Sequence, residues 1–337
     1  SGRLNKKGEP LPTALVTRHL RFSLPYRALY SQTLRPDTAT RLADALAVLL
    51  VRLHIVGFFW GDVSLSNTLF RRDAGAFAAY LVDAETGELM PGSLSGGQRE
   101  NDLEIARVNV AGELLDLQAG GRLDEDIDPL AVAMSILDSY RSLWNELTGW
   151  ESFDQSERWR ISQRVQRLND LGFDIENLTI SSDESGSELK IQPKVVDAGH
   201  HTRRLLRLTG IDAGENQARR LLNDLDSFRA LRYPDDDVDE EMVAHEWLSE
   251  VYDKVIRAIP REYRGKLEAA EIFHQWIEHR SERSRREDRE IPLKESVTSY
   301  IEEVLQHRRD EAMITGPPTE ALTLPNPTIA HDWRDRV

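Results

Sequence analysis

Cysteine does not occur in the 337 residues, which excludes disulfides, a thiolate metal site and a cysteine nucleophile, and fits a reducing compartment. No apolar run approaches the roughly 20 residues of a membrane span, and no secretory signal opens the chain. A cytoplasmic, soluble protein is therefore the expectation. Basic residues are in deficit, with 43 Lys and Arg against 58 Asp and Glu, a formal net charge of -15. That balance argues against a surface built as a whole for nucleic acid or anionic lipid. No HExxH occurs; His274 and His279 are five apart and share no helix face suited to zinc. Methionine does not begin the chain, which opens SGRLNKKGEP. Its Lys6, Lys7 and Gly8 read as a polar turn.

What is present suffices for a sizeable core. Hydrophobic residues make up 40% of the chain and charged ones 30%, with room for about two domains at roughly 150 residues each. After Asp37 or Thr38 as a cap, Leu42, Leu46, Leu49 and Leu53 fall at helical spacing and predict one apolar stripe that Gly57 ends. Phe58 to Trp60 suit a short strand, Gly61 to Ser66 a loop, Thr68 to Phe70 a second strand and Ala79 to Val82 a third. Two polar groups interrupt this greasy stretch, Asp62 and Asn67, and Asp83 follows the apolar YLVD. Asn67 and Asp83 offer the hard oxygen ligands that suit Mg²⁺, an ion held by few protein groups plus substrate phosphates. Asp62 is left to orient or deprotonate a hydroxyl. This division of labour is that of phosphoryl transfer, where the protein mainly positions reactants and neutralises charge. A turn whose Asp and Asn bond backbone amides would carry the same residue types.

His54 stands eight residues before Asp62, GDVSLSN follows the pattern HGDxxxxN, and VDAET at 82–86 occupies the place of a metal-binding DFG. In these motifs the sequence resembles the protein-kinase-like superfamily, in the form found among small-molecule and lipopolysaccharide-core kinases. The runs WGDVSLSNTLFRRDAGAFAAYLVDAETGEL, NDLEIARVNVAGELLDLQAGG and GHHTRRLLRLTGIDAGENQARRLLND resemble an actinobacterial family of unknown function labelled lipopolysaccharide-kinase-like. The resemblance implies ATP and Mg²⁺ as cofactors, Asp62 as catalytic base, Asn67 and Asp83 as metal ligands, and His54 as a structural support. Asp102 in NDLEIAR resembles the aspartate that braces the catalytic loop from the following helix; complementing the helix dipole is the alternative role. Trp60 stands for the histidine of HGD, Ser64 for a lysine, and Ala84-Glu85 for Phe-Gly. The pattern is not that of a protein serine/threonine kinase.

The expected fold is α+β: a kinase-like large lobe, with the small lobe largely absent, joined to a mostly helical C-terminal domain. Residues 1–20 would hold a remnant of the small lobe and the hinge, LVTRHL; 21–149 the catalytic lobe; 150–233 a family-specific domain; 234–312 helices; 313–337 an extended tail. SLSGGQRE at 93–100 matches the LSGGQ of ABC-transporter ATPases, but no GxxxxGK(S/T) accompanies it, so Gly92 to Gly97 is read as a loop before a helix at about 100–118. A second helix is expected at about 129–148, then a helix at about 154–170 and a hairpin from LTIS and LKIQPKVV. Two helices follow, whose leucines should be buried while Arg203, Arg204, Arg207, Arg219 and Arg220 face water or an anion. The expected function is transfer of the ATP γ-phosphate to a hydroxyl of a small molecule, sugar or envelope glycan precursor. A pseudokinase-like scaffold, with its C-terminal helices binding a protein partner, is the alternative; nucleic acid is a distant third.

Overall fold

A computed structural model of the chain describes residues 19–30, 36–154, 159–170, 172–182, 188–234 and 238–314. The Lys6-Lys7-Gly8 turn, most of the expected hinge and the tail from 315 onward lie outside the described residues. Helices dominate an α+β architecture whose small sheets are antiparallel. In chain order, β1 (Leu24–Pro25) and α1 (Tyr26–Leu29) precede the long α2 (Pro36–Ile55), then β2 (Phe58–Phe59), β3 (Thr68–Asp73), β4 (Ala76–Leu81) and β5 (Glu88–Leu89). Helices α3 (Gly96–Ala119) and α4 (Pro129–Thr148) follow, then β6 (Glu151–Asp154), α5 (Trp159–Asp170), β7 (Phe173–Ser182) and β8 (Glu188–Ala198). The remainder is helical: α6 (His200–Thr209), α7 (Glu215–Arg232), α8 (Glu240–Trp247), α9 (Asp253–Ala258), α10 (Ala269–Glu287), α11 (Leu293–Glu303) and α12 (Glu311–Ile314). Among the described residues no helix is long and apolar enough to cross a membrane.

Local chemistry explains the main boundaries. The α2 stripe puts Leu42 and Leu46 wholly inside, but its third core position is Leu50, while Leu49 and Leu53 of the expected stripe are only partly buried against the core. Asp128 caps α4 by accepting from Leu130 N and Ala131 N, with Pro129 at the first helical position. Helix α3 starts at Gly96, earlier than its apolar pattern predicts, because Ser95 and Gln98 form a capping box. The LSGGQ match is thus a helix start, and the expected loop ends at Ser95. Strands β7 and β8 form the expected hairpin; β6, too short to be read from ESFD, adds to its free β8 edge.

Two apolar cores result. The first gathers residues from Leu24 to Leu147 with Leu168 and Phe173; the second runs from Leu205 to Leu305. Leu205, Leu208, Leu221, Leu222 and Leu225 are buried in the second core as expected, whereas Leu206 turns outward and is exposed. Arg204 and Arg207 instead reach Glu240 at 2.6 and 3.3 Å.

The β3–β4 hairpin bridges the two cores. Its tight turn places Ala74 and Gly75 at φ 52 and 83, the left-handed pair of a two-residue hairpin loop. The turn points Asp73 at the first residues of α7: its carboxylate accepts from Gln217 N at 2.7 Å, Asn216 N at 3.1 Å and Asn216 Nδ2 at 3.1 Å. A carboxylate from a distant strand thereby satisfies the orphan amides of a helix start. The approach needs Gly214, since a Cβ there would lie 2.4 Å from Asp73 Oδ1. Arg71 pairs with Glu268, Arg72 Nε with Glu311 at 2.6 Å, Ala74 N donates to Glu271 at 3.1 Å, and Gln217 Nε2 links Arg72 O to Glu271. Burial raises the Asp73 carboxyl above its ordinary range, and the bonds from Gln217 and Asn216 oppose this.

Glu215, beside that cap, shows the opposite balance. Burial pushes its carboxyl up, but bonds from the His201 ring and amide and from the Thr202 hydroxyl and amide outweigh it and hold the pKa at about 2, against an ordinary 4.5.

Removing the cap should cost the whole molecule. Asp73→Ala is expected to lower stability by about 2 kcal/mol or more, a buried cap plus orphaned amides, and Gly214→Ala to act in the same direction by displacing the same carboxylate. Urea unfolding followed by circular dichroism measures this; a midpoint unchanged for both variants would show that the hairpin is not the tie.

The Glu215 stabilisation has a sign fixed by its depressed pKa: it is present in full above the unfolded value near 4.5 and is lost as pH falls through about 2. The gap in melting temperature between the protein and Glu215→Gln should therefore be widest at neutral pH and shrink between pH 4.5 and 2. A gap that grows on acidification contradicts the assignment.

Candidate functional site: a loop held by one helix face

Residues 60–67 leave the β2 strand and return into β3 without a strand partner, so their backbone groups must be satisfied by side chains. Helix α3 supplies them. Asp102, Asn109 and Glu113 are spaced by seven and four residues, about two turns and one turn, which puts them on a single face. Asp102, fully buried, accepts from Trp60 N and Gly61 N, each at 2.8 Å. Asn109 Nδ2 donates to Val63 O at 3.1 Å and to Asp62 Oδ1 at 3.3 Å. Glu113 accepts from Leu65 N at 2.7 Å, Ser66 N at 2.9 Å and the Ser66 hydroxyl.

Behind the loop sits His54, from the last turn of α2. Its Nε2 faces Asp102 Oδ2 at 3.1 Å and its Nδ1 faces the Tyr140 hydroxyl at 2.7 Å. An acidic acceptor on one side assigns the proton to Nε2, leaving Nδ1 to accept from Tyr140. Burial raises the Tyr140 hydroxyl pKa, which keeps that donor protonated. His54 is buried, with its ring edge-on to Tyr140. Trp60 fills the first core with its indole, while its backbone carbonyl accepts from Thr86 Oγ1 at 3.0 Å. Gly61 has φ 76, and a Cβ there would press on Phe59 and Thr86 O at 3.2 Å. Glycine before Asp62 is therefore a backbone requirement.

On this platform Asp62 is half-buried, its Oδ2 accepting from Asn67 Nδ2 at 2.9 Å. Donating through Nδ2 leaves the Asn67 carbonyl oxygen for another partner. Val82 N donates to Asn67 O at 3.1 Å, one step beyond the last ladder pair, Thr68 with Leu81. That bond brings the end of β4, and with it Asp83, alongside Asn67. Asp83 is exposed, with a single weak bond from Glu85 N at 3.3 Å, and Val82 before it is 51% exposed. An amide oxygen and a carboxylate with spare capacity form a donor set that fits a hard divalent cation completed by phosphate oxygens and water. Among the described residues no group of three or more His, Asp or Glu is placed to hold a metal by itself. His274 and His279 turn instead to Glu278 at 3.4 Å and to the Ser299 hydroxyl at 2.8 Å.

The structure thus assembles Asp62, Asn67, His54 and Asp102 around one loop, with Asp83 at the adjoining strand end. Asn109 and Glu113 are additions. Their signal lay in the seven-and-four spacing from Asp102, a polar stripe beside the apolar one of Leu103, Ala106, Val110 and Leu114.

Residues 142–305 match the family described as Domain of unknown function (DUF4032). The matched segment runs from the second half of α4 to just after α11, so it takes in the second core and leaves the 60–67 loop outside. No curated protein matches the chain.

Asp102 bonds two backbone amides and His54 with two oxygens, and an amide side chain has only one acceptor. Asp102→Asn should leave at least one buried donor unsatisfied, at a cost of roughly 1–3 kcal/mol, seen as a lower urea midpoint with the same m-value. Glu113→Gln, whose partner Ser66 is exposed, should cost less. Equal losses for both would refute the central role of Asp102.

Proposed function

We propose that the protein is a kinase-like phosphotransferase, moving the γ-phosphate of ATP to a hydroxyl of a small molecule, sugar or envelope glycan precursor. The observation that carries this reading is the Asp62 carboxylate, fixed through both oxygens by Asn67 and Asn109 on a loop that α3 pins at both ends. Immobilised in this way, Asp62 would accept a hydrogen bond from the acceptor hydroxyl, align its oxygen with the γ-phosphorus and take its proton as the new oxygen–phosphorus bond forms and the bond to the bridging oxygen breaks, releasing ADP. Asn67 and Asp83 would hold Mg²⁺, which when bound neutralises charge on the β- and γ-phosphates. Asn67 then would have two tasks: its Nδ2 steadies Asp62, and its side-chain oxygen would help to hold the metal. Val82, just past the end of β4, half-exposed and next to Asp83, offers an apolar side chain against which a nucleotide base could lie. These features make the resemblance to lipopolysaccharide-kinase-like proteins chemically coherent.

Two substitutions separate the roles. Asp83→Asn should weaken Mg²⁺-ATP binding, because it removes charge from a metal ligand. Asp62→Asn should preserve nucleotide affinity while lowering turnover by about 10²-fold or more, the magnitude of a lost general base. Calorimetry with Mg²⁺-ATP and a phosphate-release assay read both. Absence of nucleotide binding, or turnover indifferent to Asp62, would reject the enzyme in favour of the scaffold reading.

A further inference from the structure

At the other end of the β3–β4 hairpin from Asp62, roughly 20 Å along the strands, a cavity of about 580 Å³ opens between α2, β4 and the start of α7. Its size is that of small-molecule sites. Ala45, Val48 and Leu49 of α2 and Ala76, Phe77 and Ala79 of β4 make its apolar walls. Four arginines and four acids also line it, and their partners show which side chains are already engaged. Asp73 caps α7, Glu215 holds His201 and Thr202, Asp44 accepts the Ser139 hydroxyl at 2.7 Å, and Glu146 pairs with Arg167 at 3.2 Å. Arg41 donates to Gly75 O at 2.7 Å and pairs with Asp37 at 3.4 Å.

Arg52 and Arg219 are different. Neither makes an ion pair or a side-chain hydrogen bond among the described residues, in a chain whose net charge is -15. Arg52 Nε is cut off from solvent and has no acceptor; its guanidinium lies 6.0 Å from the Phe173 ring centroid. Arg52 itself lines the cavity, where its guanidinium has no carboxylate partner among the described residues for an oxygen anion to displace. Both arginines are half-buried, which strengthens a charge-assisted bond relative to water.

We propose that this cavity binds a small amphipathic anion, a carboxylate or phosphate monoester on an apolar body, with Arg52 and Arg219 on the anionic head and the α2 and β4 side chains on the body. The proposal does not depend on phosphoryl transfer at Asp62. Planar guanidinium groups engage either head group in paired hydrogen bonds, so the head is left to experiment.

Calorimetry on the full chain with octyl phosphate, octanoate, inorganic phosphate and octan-1-ol, all well below self-association, tests it. At least one amphipathic anion should bind about tenfold or more tightly than both inorganic phosphate and the alcohol, and the better of the two names the head group. Arg219→Gln should weaken that binding about tenfold, as expected for one charge-assisted contact, without lowering the melting temperature of the free protein. Arg52→Gln should weaken it too, and Ala45→Trp should block it by filling the apolar wall. Octanol binding as well as the anions, both glutamine variants binding like the parent, or no heat from either anion at millimolar concentration would each overturn the proposal. Asp62→Asn should bind the anion unchanged, so the failure of one reading is distinguishable from the failure of the other.

Discussion

The bonds from the polar face of α3 to the backbone of residues 60–67 are the constraint on which the rest of the candidate site depends. A loop that leaves one strand and enters another exposes backbone groups with no ladder partner; Asp102 and Glu113 accept from its N–H groups, and Asn109 donates to the Val63 carbonyl. Carboxylates accepting from main-chain amides make short, charge-assisted bonds, so Asp102 and Glu113 fix the two ends of the loop more firmly than neutral side chains would. Asp62 inherits that rigidity. Its carboxylate position is set by Asn67 and Asn109, and those amides are set by the same loop and helix. Burial of His54 against Asp102 and Tyr140 extends the platform into the first core.

The same hairpin that carries Asn67 at one end carries Asp73 at the other. Asp73 binds the start of α7, and Arg71 and Arg72 reach acids before α10 and in α12, so the strand pair is anchored in both cores. Buried polar networks of this kind are costly when half satisfied and specific when complete. The arginine-bearing cavity lies at the Asp73 end, with β4 as one of its walls.

Much of this was legible in the sequence, for identifiable reasons. Helices α2, α3 and α4 declare themselves through leucines at three- and four-residue spacing, and the β7–β8 hairpin through two apolar runs around a serine-rich acidic turn. Asp62, Asn67 and Asp83 stood out because polar residues at fixed spacing interrupted apolar strands. What escaped was non-local. Asp73 reads as an ordinary turn residue until α7, some 140 residues later, is placed against it. Asn109 and Glu113 lie on the polar side of an amphipathic helix, a pattern that a solvated face would share. The early start of α3 was hidden in SLSGGQ, whose glycines suggested a loop although Ser95 and Gln98 form a cap. Arg219 was marked only as one of five arginines expected to face water or an anion, and Arg52 carried no pattern at all; only the accounting of their neighbours' partners sets the two apart.

The phosphotransferase reading predicts one arrangement above all. A crystal structure of the protein with Mg²⁺ and a non-hydrolysable ATP analogue should show the metal contacting the side-chain oxygens of Asn67 and Asp83, with the γ-phosphate within reach of a hydroxyl bonded to Asp62. Nucleotide bound elsewhere, or a metal that ignores Asn67 and Asp83, would contradict it.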